Sequence, residues 1–421
     1  MNKIRLAVIG AGSRGTTYAA YAFKHSDELE IVGVAEPRDF YRRQMANWHL
    51  IPVGNVTHDW HDWLTREKFA DAIIIATPDA LHAEPAIAFA GLGYHLLLEK
   101  PMAPTELECR KIVEAVNRAG VMLAVCHVMR YTPYTRMLKQ VLESGRIGEV
   151  VSVQHLEPVG YWHQAHSFVR GNWGNELRSS SMLLQKSCHD LDWLRYLIGK
   201  PCERVSSFGG LHHFRESQKP VGAADRCLEC EIESDCAFSA KRFYLRELES
   251  GNTGWPVNVI TSDTTESGVL EALRTGPYGR CVYSCDNDVV DHQVLNLEFV
   301  GGVTASFTMT AFTKGRDRET RIFGTKGELF GNGQTLEIYD FLTEQTKVID
   351  TELESDGSIK SGHGGGDEGV MHAFLTALRD NNPSAILSGP NESLESHLMV
   401  FAAETSRREA RVCQIEPGAR A

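Results

Sequence analysis

Lys100 is the residue whose type and position most directly suggest chemistry. It follows an apolar run, Tyr94 to Leu98, that we predict to be a buried strand, with Glu99 between them and Pro101 after it. Proline restricts the residue before it to an extended backbone, which helps to aim the lysine side chain. An amine held at the end of a buried strand can accept or relay the proton of a bound hydroxyl group. The alternative interpretation is a solvated surface lysine.

A glycine-rich turn near the N-terminus predicts a binding site for a dinucleotide. The motif G-x-G-x-x-G lies between a predicted strand, Leu6 to Ile9, and a predicted helix, Thr16 to Lys24. Its glycines allow a tight turn, a close approach of backbone to pyrophosphate, and close packing of helix on strand. The helix N-terminus offers unpaired N–H groups to the phosphates. The predicted cofactor contacts in this turn are Gly10, Gly12, Ser13, Arg14 and Gly15. The alternative is a glycine turn that binds nothing.

Glu36 indicates which dinucleotide is bound. It follows a second predicted strand, Glu30 to Ala35, at the distance from the glycine motif that a ribose-binding acid requires. A carboxylate there accepts both ribose hydroxyls of an adenosine and repels a 2′-phosphate. The sequence therefore favours NAD over NADP, although the nearby Arg38 leaves some room for NADP.

A third strand end adds further candidates for the cofactor site. The predicted strand Ala72 to Ala76 leads into Thr77 and Pro78, and His82 follows. The carboxyl ends of parallel strands face the cofactor in such folds. Thr77 can bond a ribose or phosphate oxygen, and Pro78 fixes the direction of the chain. His82 is either a cofactor contact or a histidine that packs locally at a helix start.

Bulk properties restrict the classes of partner. A chain of 421 residues is long enough for two domains. Its net charge of −12 argues against a nucleic-acid partner, which usually requires a basic face. We find neither an apolar run of the roughly 18 residues that a membrane span requires nor a signal peptide. The expected location is therefore cytoplasmic.

Several motifs together resemble the Gfo/Idh/MocA oxidoreductases, the family of glucose–fructose oxidoreductase and inositol dehydrogenase. They are the glycine turn, Ala76-Thr77-Pro78 with His82, Glu99-Lys100-Pro101, Arg130-Tyr131 before Pro133, Ser144 to Gly148, and Phe323 to Gly327. The resemblance implies an α/β Rossmann domain over residues 1–126. It also implies an α+β substrate domain over 127–421, with a large, open, mostly antiparallel sheet. In the family this sheet often makes dimer or tetramer contacts, so we expect a homodimer or homotetramer. The resemblance further implies that Lys100 lies beside the nicotinamide, with Glu99 at the cofactor site.

A second catalytic candidate follows from the same resemblance. His189 lies in a predicted amphipathic helix, Ser181 to Leu197, where the family carries a histidine. The family usually places an aspartate four residues earlier, but this chain has Gln185. We predict that His189 assists Lys100 and binds substrate, and that Gln185, which cannot titrate, bonds a substrate hydroxyl. The alternative for His189 is a core histidine.

The stretch Tyr161 to Trp173 is predicted to contact the substrate. It has no clean helical or strand period, and it is rich in aromatic rings and hydrogen-bonding groups. Rings stack on the C–H faces of a sugar, while imidazole and guanidinium groups bond its hydroxyls. The candidate residues are Trp162, His163, His166, Arg170 and Trp173. The alternative is a loop that packs on itself.

An insertion at about residues 211–285 carries a cysteine pattern. Cys227 and Cys230 form a C-x₂-C knuckle, with Cys236 and Cys281 further along. Such a set can hold a structural zinc ion, with Cys285 as a rival fourth ligand. The insertion is poor in apolar periodicity, which suggests a need for such a clamp. An iron–sulfur cluster and free thiols remain alternatives.

These observations favour an NAD-dependent oxidoreductase that acts on a sugar, sugar derivative or polyol. The first alternative is a glycoside hydrolase that uses NAD transiently, through oxidation, elimination, hydration and re-reduction. The second alternative is a non-catalytic protein that senses NAD. The presence of both Lys100 and His189 argues against a non-catalytic role.

Overall fold

Two β-sheets of different construction organise the chain. The computed structural model describes residues 3–351 and 364–416. The first sheet has six strands in the order β3-β2-β1-β4-β5-β6, and all of its pairings are parallel. The strands are β1 (Ile4–Ile9), β2 (Leu29–Ala35), β3 (Val56–Thr57), β4 (Ala72–Ile75), β5 (His95–Leu98) and β6 (Leu123–Val125). Their short apolar runs are buried on both faces, as helix-covered parallel sheets require.

Helices cover both faces of this parallel sheet. They are α1 (Ser13–Ala19), α2 (Tyr21–Lys24), α3 (Asp39–Trp48), α4 (Ala83–Gly91) and α5 (Glu106–Ala119). Helix α5 begins at a Thr105 cap and ends at Gly120 in the left-handed conformation. The next helix, α6 (Pro133–Glu143), leads into the second half of the chain.

The second sheet has nine strands in the order β14-β13-β12-β11-β7-β10-β9-β8-β15. Only β7 and β10 pair in parallel, so the sheet is mixed and mostly antiparallel. The strands are β7 (Val150–Pro158), β8 (Cys202–Gly210), β9 (His292–Phe299), β10 (Val303–Thr310), β11 (Glu319–Gly324), β12 (Gly327–Gly331), β13 (Thr335–Asp340), β14 (Gln345–Asp350) and β15 (Cys413–Gln414). Burial alternates along β9 and β10, which is typical of a sheet with one covered face. The predicted fold class is thus confirmed.

The later helices connect the two sheets. They are α7 (Tyr161–His163), a π-helix (Gln164–Arg170), α8 (Met182–Ile198), α9 (Ala240–Glu249), α10 (Val257–Ile260), α11 (Glu266–Thr275), α12 (Gly366–Asp380) and α13 (Pro390–Glu409). Helix α8 lies between the sheets, where Asp192 accepts two hydrogen bonds of 2.7 Å from the buried Arg130. Helix α12 returns to the N-terminal sheet and contributes Phe374 to its core.

Helix α13 contributes to the cores of both sheets. Leu394 and Leu398 pack in the core on one face of the parallel sheet. Met399 and Val400 pack in the core of the second sheet. Within the residues described, no helix is both long enough and apolar enough to span a membrane.

The predicted insertion at about 211–285 carries a small core of its own. Helices α9, α10 and α11 pack together through buried apolar and aromatic side chains. The members of this core are Cys227, Ala240, Tyr244, Val257, Val269, Leu273 and Tyr278. This packing gives the segment an apolar core that its weak periodicity in the sequence did not indicate.

Candidate active site

The glycine-rich turn leaves room where a dinucleotide backbone would lie. Gly10 has a φ of +92°, and a Cβ there would come within 2.6 Å of the Ala76 carbonyl oxygen. A Cβ on Gly15 would come within 1.9 Å of the Gly10 oxygen, so close packing of the turn requires glycine. At Gly12 the nearest atom to such a Cβ is Nη2 of Arg38, 3.4 Å away. The turn is thus filled behind Gly10 and Gly15 but open at Gly12, which fits the approach of a pyrophosphate.

Glu36 is fixed at the end of β2 beside this turn. Its carboxylate accepts a hydrogen bond of 2.9 Å from the Ala11 N–H, and Arg38 donates to it from both backbone and side chain. Burial favours the neutral acid, but the Arg38 bonds and charge and the Ala11 N–H together lower the pKa of Glu36 below its ordinary value. Glu36 therefore presents a charged acceptor where an adenosine ribose would lie.

Arg14 lies in a buried ionic cluster. Its Nε donates to Glu99 at 2.6 Å, and Nη2 donates to Asp367 on α12 at 2.5 Å. Tyr18 donates to the same oxygen of Glu99 at 2.7 Å. The predicted phosphate contact of Arg14 is not supported by these contacts, because they direct its guanidinium toward carboxylates. Ser13 begins α1, next to the open position of the turn.

Glu99 links this cluster to Lys100. Its Oε2 accepts a hydrogen bond of 2.7 Å from the Lys100 N–H. Burial raises the pKa of Glu99, but the charges of Arg14 and Lys100 outweigh burial and lower it overall. Glu99 is therefore an anion that fixes the backbone of Lys100.

The Lys100 side chain spans the gap between the two halves of the chain. Its Nζ donates a hydrogen bond of 2.8 Å to the main-chain oxygen of Gln185 in α8. His82 fixes the neighbouring loops, because Nε2 lies 2.9 Å from the Thr77 oxygen and Nδ1 lies 2.8 Å from the Pro101 oxygen. Both ring nitrogens of His82 thus face backbone, and its contacts are those of a positioning residue. Thr77 and Pro78 lie at the exit of β4, on the same sheet edge as Lys100.

A group of histidines lies behind the lysine. The ring of His127 is 5.8 Å from that of His189 and 5.5 Å from that of His397. His397 accepts from the Met102 N–H at 2.9 Å and lies 2.7 Å from the Ser393 oxygen, which defines a neutral ring protonated at Nδ1. Burial lowers the pKa of His127 to about 3 and that of His397 to about 4. His189, on α8, therefore lies beside uncharged rings.

The predicted substrate stretch divides into two parts. The ring of Trp162 stacks on Phe243 with centroids 5.1 Å apart, and Trp255 lies 5.5 Å from it. The ring of His163 lies 5.3 Å from Trp255. Burial, followed by the charges of Lys186, His166 and Lys100, keeps the pKa of His163 well below its ordinary value. His163 is thus a neutral imidazole within electrostatic reach of Lys100, and the ring of Trp255 packs beside it.

The other candidates in that stretch have contacts elsewhere. Arg170 donates to the Arg280 oxygen at 2.7 Å and to the Phe238 oxygen at 2.8 Å, so it anchors the insertion. Nδ1 of His166 lies 2.5 Å from the Tyr244 hydroxyl. Trp173 is 41% exposed. The contacts that Arg170 and Nδ1 of His166 make with the insertion do not support the predicted role of these two residues in holding substrate.

The predicted zinc site is not assembled. Among residues 3–351 and 364–416, no three His, Cys, Asp or Glu side chains are arranged so that they could hold a metal ion. Instead, Cys227 accepts from Arg170 at 3.5 Å, and Cys285 donates to the Cys281 oxygen at 3.2 Å. Cys230 and Cys236 follow short 3₁₀ turns at the edge of the insertion and are partly exposed. The described residues therefore do not support the predicted set of zinc ligands.

Several polar groups near α8 were not predicted from the sequence. Asp79, in a 3₁₀ turn after β4, is buried and accepts from the Gln185 side chain. Lys186 lies 3.4 Å from Glu157 of β7. Asp79 directly follows the predicted Thr77-Pro78 strand end, so its position could have identified it as a candidate site residue. Nothing in the local sequence indicated the partner of Lys186.

Comparison with known proteins agrees with this geometry. A family model described as "Oxidoreductase family, NAD-binding Rossmann fold" matches residues 4–127, and its companion "C-terminal alpha/beta domain" matches residues 139–415. Putative oxidoreductase YteT of Bacillus subtilis is 25% identical over 365 residues, which cover 82% of this chain and 81% of that protein. The 2,7-anhydro-N-acetylneuraminate hydratase of Escherichia coli is 27% identical over 269 residues, covering 63% and 67% of the two chains. The crystal structure of levoglucosan dehydrogenase in complex with NADH shares the fold, with a TM-score of 0.73, 18% identity, and coverage of 99% and 100%. The chain belongs to the Gfo/Idh/MocA oxidoreductase family.

Proposed function

We propose that this protein oxidises a ring or chain CH–OH group of a sugar, sugar derivative or polyol with NAD. The observation that carries the proposal is the position of Lys100. Its backbone is held by Glu99, its Nζ is 2.8 Å from the Gln185 oxygen, and it lies at the same sheet edge as the open glycine turn. A relative 31% identical over 146 residues is named levoglucosan dehydrogenase, which supports a carbohydrate substrate.

Lys100, His189 and the aromatic residues have separate roles in this proposed oxidation. A nicotinamide dinucleotide held by the glycine turn and Glu36 would supply the hydride acceptor for this oxidation. Lys100 accepts or relays the hydroxyl proton as the C–H bond breaks. His189 binds the substrate beside Lys100 and helps to pass that proton to solvent. The neutral His163 and the rings of Trp162 and Trp255 contact the rest of the sugar, because a C–H face stacks on an indole.

The preference for NAD over NADP rests on Glu36. Its buried carboxylate already accepts from Ala11 and Arg38, and it is charged at neutral pH. A 2′-phosphate in that place would put two anions together.

A panel of sugars, polyols and aryl glycosides with NAD⁺ tests the proposal. We expect NADH to accumulate with at least one sugar or polyol, as measured by its near-ultraviolet absorbance, and the oxidised sugar to appear by chromatography. Failure of every compound to yield either NADH or a changed sugar would contradict the proposal.

A second function is favoured by one of the relatives. The Escherichia coli relative is named a hydratase of an anhydro sugar rather than a dehydrogenase. In this chain the corresponding activity would be glycoside cleavage through oxidation, elimination, hydration and re-reduction. Release of aglycone without lasting NADH would identify it in the same panel.

We also propose that the second sheet forms a homodimer or homotetramer contact. Phe208, Val294, Thr308 and Leu156 are register neighbours on four adjacent strands, β8, β9, β10 and β7. Phe208 is 64% exposed and Val294 is 41% exposed. A row of mainly apolar side chains on the uncovered face fits a partner sheet. Light scattering should show an oligomer in the wild type and dissociation in Phe208→Glu.

A further inference from the structure

The side-chain amide of Gln185 is held by two partners. Its Nε2 lies 2.5 Å from Oδ2 of Asp79 and 2.8 Å from Oγ of Ser180. An amide nitrogen has two N–H groups, and an ionised carboxylate can only accept. Both N–H groups of the Gln185 amide are therefore used. A flipped amide would place its oxygen against the carboxylate of Asp79.

We propose that Asp79 and Ser180 orient Gln185 so that its Oε1 accepts a hydrogen bond from a hydroxyl group of the substrate. The nitrogen faces Asp79 and Ser180, so the oxygen is presented on the opposite side of the amide. The main-chain oxygen of the same residue accepts from Lys100 Nζ at 2.8 Å. Gln185 thus offers its side-chain oxygen to the substrate, while its main-chain oxygen binds the amine of Lys100. This inference rests on the proposed sugar oxidation.

The arrangement gives a physical reason for glutamine at this position. A carboxylate at residue 185 would lie against the carboxylate of Asp79, which is buried. Two carboxylates so close cannot both ionise at neutral pH. The negative charge therefore lies on the turn after β4, and α8 carries a neutral acceptor. Asp79 and Ser180 are positioning residues, because they act through Gln185.

A consequence for specificity follows. The oriented oxygen of Gln185 increases the affinity for a substrate that carries a hydroxyl group next to the reacting carbon. A deoxy or O-methyl analogue leaves that oxygen without a donor, so the hydrogen bond is lost on binding. Proton removal by Lys100 is a separate step, so the discrimination appears mainly in KM.

An exchange of the two side chains tests the pairing. We compare Gln185→Glu, Asp79→Asn and the double variant, with the exposed Gln218→Glu as a control for added charge. Gln185→Glu should lower the thermal midpoint at neutral pH, and the loss should shrink in acid as one carboxylate takes up a proton. The double variant should recover the midpoint, because the amide introduced at position 79 then donates to the carboxylate introduced at position 185. No loss in Gln185→Glu, or no recovery in the double variant, overturns the pairing.

Kinetics with the best sugar from the panel test the orientation. Asp79→Asn and Ser180→Ala should raise the KM for that sugar about tenfold, with a smaller change in kcat. The double exchange should restore most of the KM. The analogue that lacks the adjacent hydroxyl should be insensitive to Asp79→Asn. If the midpoints follow the pairing but KM does not change, the pair is merely structural and the inference fails. If the wild type oxidises no sugar at all, the proposed function fails, while the thermal cycle still reports on the pair.

Discussion

The proposed cofactor end and the proposed substrate end of the site are built in different ways. At the cofactor end, backbone N–H groups fix the carboxylates: Glu36 accepts from Ala11 and Arg38, and Glu99 accepts from Lys100. At the proposed substrate end, side chains that are distant in the chain contact one another. Gln185 meets Asp79 across 106 residues, and Trp162 stacks on Phe243 of the insertion.

This difference affects how each end can change. Strand ends and glycine turns fix the cofactor groups through backbone, so a substitution there removes a defined contact. At the proposed substrate end, Trp162 depends on packing of the insertion against α7, and Gln185 depends on its contact with the turn after β4. We therefore expect single substitutions at the cofactor end to cause large changes in kcat and in cofactor selectivity. Single substitutions at the substrate end should cause smaller changes in substrate affinity.

The largest effect should follow removal of the amine. Lys100→Ala should lower kcat about a thousandfold, because no other group takes the hydroxyl proton at that place. Affinity for NADH, measured by fluorescence, should change little. The exposed Lys347→Ala provides the matched control. An unchanged kcat in Lys100→Ala would revive the interpretation of a non-catalytic protein.

Removal of the ribose acceptor should have the next largest effect. Glu36→Ala should raise the KM for NAD⁺ about fiftyfold, because hydrogen bonds to a charged acceptor are lost. The KM for NADP⁺ should fall, since Arg38 then faces the 2′-phosphate alone. The exposed Glu30→Ala on the same strand should leave both constants unchanged. Equal losses for both cofactors would show that Glu36 does not discriminate between them.

Acid should destabilise the folded protein through its buried neutral histidines, His127 and His397. His127 and His397 have pKa values of about 3 and about 4, below the ordinary value of 6.5. Below pH 6.5 the unfolded chain binds protons that the folded chain does not, so stability is complete above that value and falls as the pH decreases. Each histidine should lower the free energy of unfolding by about 2 kcal/mol at pH 5.

Urea unfolding at pH 7 and at pH 5 measures this effect. His127→Gln should reduce the dependence on pH, whereas the exposed His58→Gln should not. A pH dependence that is the same in the wild type and in His127→Gln would contradict a buried neutral ring.

The smallest effect is expected at the substrate end. Trp255→Ala removes a ring that packs on Trp162 and His163, and it should raise the sugar KM about five- to tenfold. The kcat and the KM for NAD⁺ should stay the same. Trp48→Ala, a tryptophan of similar exposure on α3, is the control. A change in the KM for NAD⁺ would show that the two ends are coupled.

The same contrast explains what could be predicted from the sequence. The parallel order of strands, the turn at Gly10 and the strand-end position of Lys100 follow from short patterns of apolar residues, glycine and proline. The contact between Asp79 and Gln185 does not, because it depends on how α8 lies against the first sheet. The core of the insertion could not be predicted for a related reason: its apolar residues are scattered along the chain, and packing of three helices brings them together.

Helix α13 has a consequence for how the enzyme can move. Its first half is embedded in one core and its second half in the other, through Leu394 and Leu398 on one side and Met399 and Val400 on the other. A hinge motion between the sheets would have to disrupt these packing contacts of α13. Entry and exit of a sugar should therefore depend on the surface segments around the cleft, while the two halves turn as one body. Deleting the chain from residue 390 onward should accordingly unfold both halves together.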